Sequence, residues 1–118
     1  MINAVAVGVY HTSSPEEVEW VVNNSDSKII FIGNNPNDND ENNKKPNYRL
    51  LEIIEKLKKL DLVVIMNGED LLDHPKIISW NEFISRGAKS SHDQIIDRFN
   101  KISLDDVSSL IYTSGTTG

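Results

Sequence analysis

The sequence predicts an α/β protein, three-layered, with a mostly parallel sheet and helices on both faces. Short, nearly continuous apolar runs such as Ala4 to Tyr10 and Leu62 to Met66 suit strands buried on both sides. Between them lie segments with apolar residues at helical spacing and recognisable capping signals. Most connections are short, which favours strand–helix–strand units over separate helical and sheet domains.

The elements follow in order. Ala4 to Tyr10 reads as the first strand, and Ser14-Pro15-Glu16-Glu17 as a helix start. Ser14 is placed to cap, Pro15 suits the first helical position and Glu17 completes a capping box. Val18, Val21 and Val22 then share one face, and Asn23-Asn24-Ser25 ends the helix. Lys28 to Ile32 is the next strand. From Asn34 to Asn47, seven of fourteen residues are Asn and the others are Asp, Glu, Lys and Pro. Such a tract offers little apolar surface to offset ordering entropy, so a disordered surface insertion is expected at 34–47.

Tyr48 to Leu60 resumes helical spacing through Leu50, Ile53, Ile54 and Leu57, with Glu52–Lys56 and Glu55–Lys59 as i,i+4 pairs. Leu62 to Met66 is a short buried strand. Ser79 and Glu82 have capping-box spacing for a helix through Ala88, and Ser91 with Gln94 opens another bearing Ile95, Ile96 and Phe99. Asp105-Asp106 turns the chain into a last strand, Leu110-Ile111-Tyr112.

Composition bounds the function. At 118 residues the chain is one domain at most. A formal net charge of −6 provides no basic footprint for nucleic acid. With no cysteine there is no disulfide, thiolate metal site or cysteine nucleophile. No apolar run is long enough to span a bilayer, and Met1-Ile2-Asn3 lacks the features of a signal peptide. A cytoplasmic location is the default expectation, with peripheral membrane association of a parent enzyme left open.

Most candidate chemistry is weak. His11, His74 and His92 lie in separate segments without metal-ligand spacing, and no metal site is assigned. Asp38, Asp40 and Glu41 fall in the Asn-rich tract. Trp20 and Trp80 read as packing residues. The last strand, however, runs into Thr113-Ser114-Gly115-Thr116-Thr117-Gly118. Small residues after a strand bring backbone N–H groups and hydroxyls close to phosphate oxygens, and glycines permit close approach. The Gly-Lys-Ser/Thr of a Walker loop is absent.

Tyr112-Thr113-Ser114-Gly115-Thr116-Thr117-Gly118 resembles the phosphate-binding motif of the adenylate-forming (AMP-binding) superfamily. Ala6 to Glu17, Ile78 to Phe83 and Asp105 to Ile111 are similar to segments upstream of that motif, in the same order, in long-chain fatty-acid–CoA ligases of the bubblegum type and its relatives. The resemblance implies part of the N-terminal subdomain of an adenylation domain. Thr113, Ser114, Gly115, Thr116, Thr117 and Gly118 would bind the phosphates of ATP. The parent would use ATP, Mg2+, coenzyme A and a fatty acid, forming an acyl-adenylate and then an acyl-CoA. The family's Pro-Lys-Gly continuation, adenine and ribose segments, Mg2+-binding Glu, hinge and C-terminal lysine have no counterpart in this sequence. The chain is therefore expected to be a fragment, inactive in isolation. The alternative is a non-catalytic α/β interaction module or a truncated relic.

Overall fold

The computed structural model describes residues 3–33, 46–66 and 73–113. Among these, the strands are β1 (Ala6–Val7), β2 (Ile29–Ile32), β3 (Leu62–Ile65), β4 (Ile77–Ser79) and β5 (Ser109–Leu110). The helices are α1 (Pro15–Asn24), α2 (Pro46–Ile53), α3 (Trp80–Gly87) and α4 (His92–Phe99), and a 3₁₀ turn at Ile54–Lys56 extends α2. All strand pairs are parallel, as expected for an α/β chain, but they form two sheets: β2-β3-β4 and β1-β5.

The three-stranded sheet holds the core. Its strands align Phe31, Val64 and Ile78 in one cross-strand row. Because side chains alternate, Ile30, Ile32, Val63, Ile65 and Ile77 face the other way. That second face packs on Val22 of α1 and on Leu50, Ile53, Ile54 and Leu57 of the α2 segment. On the first face α3 reaches across the sheet, setting Trp80 and Phe83 against Phe31 with ring centroids 6.4 and 5.3 Å away. Val63 and Val64, on opposite faces of the central strand, are both fully buried.

The α1 helix begins as its sequence predicts. Ser14 Oγ accepts the Glu17 N–H at 3.3 Å, and the Ser14 N–H donates to Glu17 Oε2 at 2.8 Å. The Glu16 carboxyl sits below the ordinary glutamate range, held there first by its own backbone N–H, then by the Ser14 hydroxyl, with a smaller attraction from Lys56. At the other end the chain turns through Asp26, whose φ is 54°. The Ser27 N–H reaches the Val22 carbonyl at 3.1 Å and the Asp26 N–H the Asn23 carbonyl at 3.4 Å. This is a Schellman closure with aspartate in the left-handed position usually taken by glycine. Asp26 also meets Lys59 at 2.6 Å, both side chains being largely exposed. Left-handed geometry costs a non-glycine residue about 1–2 kcal/mol, less for Asp, and an exposed ion pair contributes about 0–1 kcal/mol. Asp26→Gly is thus expected to leave stability unchanged or raise it by up to ~1 kcal/mol. Asp26→Val should lower it by about 1–2 kcal/mol, since a β-branched residue tolerates positive φ poorly. Thermal unfolding of the two variants checks the contrast.

Several elements differ from their sequence reading. The helix read as Tyr48 to Leu60 runs from Pro46 and tightens at Ile54, and Leu57 is already extended. It therefore starts two residues inside the stretch 34–47 read as insertion, of which 34–45 lie outside the described residues. With the helix over at Lys56, Glu55 and Lys59 no longer stand one turn apart. Glu55 meets His74, Lys59 meets Asp26, and Lys56 reaches Glu19 at 3.6 Å. At α3 only half the capping box forms: Ser79 Oγ accepts the Glu82 N–H, while the Glu82 carboxylate pairs with Arg86 at 2.6 Å. The Ser91–Gln94 box on α4 is complete. The strand β4 was not anticipated, because three residues between Pro75 and the Ser79 cap are too few to show a period.

The β1 strand departs furthest. Read as a seven-residue strand buried on both faces, it is two residues long and mostly exposed. Its apolar run is written for a covered sheet, yet among the described residues only β5 lies alongside it. Ile95, Ile96 and Phe99 of α4 are likewise uncovered.

Candidate functional site

The site is built on β1 and β5. Their register pairs Ala6 with Ser109 and Val7 with Leu110, so both chains leave the sheet at the same carboxyl end. Gly8-Val9-Tyr10 continues from one strand and Ile111-Tyr112-Thr113 from the other. Together Gly8, Val9, Tyr10, Leu110, Ile111 and Tyr112 line a shallow, mainly apolar hollow of about 200 Å³. Carboxyl ends of parallel strands are where open α/β sheets receive ligands.

The approach to β5 is set by a local turn. The Asp106 carboxylate accepts the Ser103 N–H at 2.8 Å, and Ser103 Oγ accepts the Asp105 N–H at 3.2 Å. The Asp106 carboxylate and the Asp105 backbone N–H thus turn the chain toward β5.

The exit from β5 is set by α1. Residues Val18 and Val22 lie one turn apart on the core side of this helix. Trp20 and Asn24 also lie one turn apart, displaced by about 200° on a helix of 3.6 residues per turn, and so face away from that core. Tyr112 meets this outer side. Its ring stands edge-on to Trp20 with centroids 5.4 Å apart, and its hydroxyl donates to Asn24 Oδ1 at 2.8 Å. Next to Asn24, Asn23 turns the other way. Its Nδ2 donates to the Lys56 carbonyl at 3.1 Å, and its Oδ1 accepts the Lys58 N–H at 3.0 Å. One helix end therefore holds both the α2–β3 connection and the end of β5.

Thr113 is exposed directly after this anchor. Ser114, Gly115, Thr116, Thr117 and Gly118 lie outside the described residues. Of the histidines, His11 is exposed in the turn after β1, where the Ser13 N–H bonds to the Tyr10 carbonyl. His74 is fixed by two bonds: its Nδ1 accepts the Lys76 N–H at 3.1 Å, so Nε2 carries the proton toward Glu55 Oε1 at 3.2 Å. His92 opens α4 on the surface. Among the described residues no group of three His, Asp or Glu could hold a metal ion.

Two residues of this region carry roles beyond their sequence reading. Asn24 ends α1, as its sequence reading has it, and also receives the Tyr112 hydroxyl, while Trp20, read as a packing residue, is 59% exposed and packs on Tyr112 rather than in the core. Trp80 does pack, against Phe31 and Phe83. The available signal was the i,i+4 spacing of Trp20 and Asn24 on the side of the helix turned away from Val18 and Val22.

Parallel strands alternating with helices define an α/β chain, and comparison with known proteins identifies its kind. The chain belongs to the AMP-binding enzyme family, whose match covers residues 1–118. It is 33% identical over 115 residues to the long-chain-fatty-acid–CoA ligase ACSBG2 of Gallus gallus, covering 97% of this chain and 14% of that protein. It is 28% identical over 121 residues to the peroxisomal long chain acyl-CoA synthetase 7 of Arabidopsis thaliana, covering 97% of this chain and 15% of the relative. With ACSBG1 of Bos taurus it shares 25% identity over 114 residues, covering 97% and 14%. The chain thus corresponds to part of an AMP-binding domain and spans about a seventh of these relatives. No solved structure matches it. Among the described residues no helix is long and apolar enough to cross a membrane.

Proposed function

We propose that this chain is the segment of an ATP-dependent long-chain fatty-acid–CoA ligase that supplies the phosphate loop. The observation that carries the reading is the Thr113–Gly118 sequence leaving the carboxyl end of a parallel strand pair, in a chain whose relatives bear the names of such ligases. In this reading the hydroxyls of Thr113, Ser114, Thr116 and Thr117 and neighbouring backbone N–H groups donate to the β- and γ-phosphate oxygens. Gly115 and Gly118 leave room for that approach. Held there, pyrophosphate is oriented as the leaving group. The fatty-acid carboxylate attacks the α-phosphate, giving acyl-adenylate and pyrophosphate, and the coenzyme A thiol then displaces AMP. Mg2+ enters with ATP. The β1–β5 and β2–β3–β4 sheets are parts of one three-layer domain completed by further strands, which explains the open faces of β1 and α4.

Fatty-acid-dependent ATP–pyrophosphate exchange tests the reading. The full-length polypeptide carrying this segment is expected to exchange label with a long-chain fatty acid and not with an amino acid or aryl acid, while the 118-residue chain alone stays inactive. No exchange by the full-length polypeptide with any carboxylic acid would overturn the assignment. Exchange by the 118-residue chain alone would overturn the claim that it is incomplete.

A further inference from the structure

We propose that Trp20, Asn24 and Tyr112 form a latch on α1 that positions the phosphate loop. The inference rests on the phosphate-binding reading of Thr113–Gly118 and adds to it the means by which the loop is aimed. Three observations carry it. Tyr112 immediately precedes the first loop residue, and its hydroxyl bonds to Asn24, 88 residues earlier in sequence. Its ring meets Trp20 edge-on. None of the three belongs to the buried core cluster, and Trp20 stays largely exposed, so apolar burial does not account for the arrangement.

The geometry explains why a strand as short as β5 can aim a loop. Two residues of β5 pair with β1, and Ile111 is 81% exposed, so the sheet alone leaves the chain loosely directed after Leu110. The Tyr112 side chain adds a hydrogen bond and a ring contact to a helix that is itself fixed in the core through Val22. Loop donors must hold their places before ATP arrives if they are to stabilise charge without reorganising. The latch supplies that restraint, making Asn24 and Trp20 positioning residues that act through Tyr112.

The test measures MgATP binding by calorimetry to the full-length polypeptide, alongside Trp20 emission in a Trp80→Phe background. Tyr112→Phe keeps the ring against Trp20 and removes the donor. Asn24→Leu removes the acceptor, while Asn24→Asp retains one. Loss of one such bond is expected to weaken MgATP binding roughly two- to tenfold in Tyr112→Phe and Asn24→Leu. Asn24→Asp should bind close to wild type, and in the Trp80→Phe background MgATP should shift the emission when Tyr112 is present but less when Tyr112→Phe is added. Asn23→Ala is the control, because it loosens the same helix end through Lys56 and Lys58 and should lower thermal stability without changing MgATP affinity. Unchanged affinity in both Tyr112→Phe and Asn24→Leu overturns the latch while leaving the phosphate loop standing. Equal weakening by Asn23→Ala also overturns it, reducing the contact to general stability. A wild type that binds no MgATP overturns the phosphate-loop reading itself, and the latch falls with it.

Discussion

Leu57→Ala is expected to destabilise the chain by about 2–5 kcal/mol, the range for emptying a well-packed aliphatic site. Leu57 is 2% exposed and follows the 3₁₀ turn in extended conformation, with φ −84° and ψ 91°. It belongs to the cluster that joins Val22 of α1 to Val63, Ile65 and Ile77 of the sheet. The Leu60 N–H bonds to its carbonyl at 3.3 Å, so the backbone there has little freedom to collapse into the cavity. Against a total of roughly 5–15 kcal/mol for a domain, the loss is a large fraction, and larger still for a segment with open faces. In urea the midpoint should fall with the slope unchanged. A shift below ~1 kcal/mol would mean that the α2 segment and the sheet do not unfold together.

Gly115→Val should have the opposite profile, abolishing most nucleotide binding and sparing the fold. Under the proposed function this glycine admits a phosphate against the backbone, where a β-branched side chain both crowds the ligand and restricts φ. Strain of this kind costs about 1–3 kcal/mol, so MgATP affinity should fall by roughly tenfold to a hundredfold. Among the described residues the buried ones lie between Val22 and Ile78, and under the proposed function Gly115 serves the ligand rather than the core, so the melting temperature should stay within a few degrees. Calorimetric titration and thermal unfolding of the same preparation read both. If Gly115→Val binds MgATP as tightly as wild type, the loop is not a phosphate site. Leu57→Ala and Gly115→Val then separate what holds the segment together from what it is proposed to bind.

Much of the architecture was legible because it is written in local signals. Ser14–Glu17 and Ser91–Gln94 are reciprocal caps contained within four residues, and both form as read. The Leu62–Ile65 strand announces itself as an uninterrupted apolar run. What stayed illegible depends on partners distant in sequence. The Ala4–Tyr10 run looks like a buried strand because it is composed for neighbours that do not lie beside it among the described residues. The early end of α2 follows from Asn23, which clamps the Lys56 carbonyl and the Lys58 N–H from another helix. At the candidate site, the loop's wording was readable as a motif, whereas the Tyr112–Asn24 anchor needed the fold to bring the two together.

The separation of those partners bears on how the segment is made. Strands β2, β3 and β4 are sequential neighbours in their sheet, so their unit closes only moderate loops. The β1–β5 pair joins residues 6 and 109, nearly the full length of the chain. Contacts that close so long a loop form slowly and come after local ones. During synthesis, the Val22–Ile77 core can assemble while β1 still waits, unpaired, for a strand not yet translated. The β1–β5 pair is therefore expected to form after the core, and α1, already folded, is the surface on which Tyr112 is received.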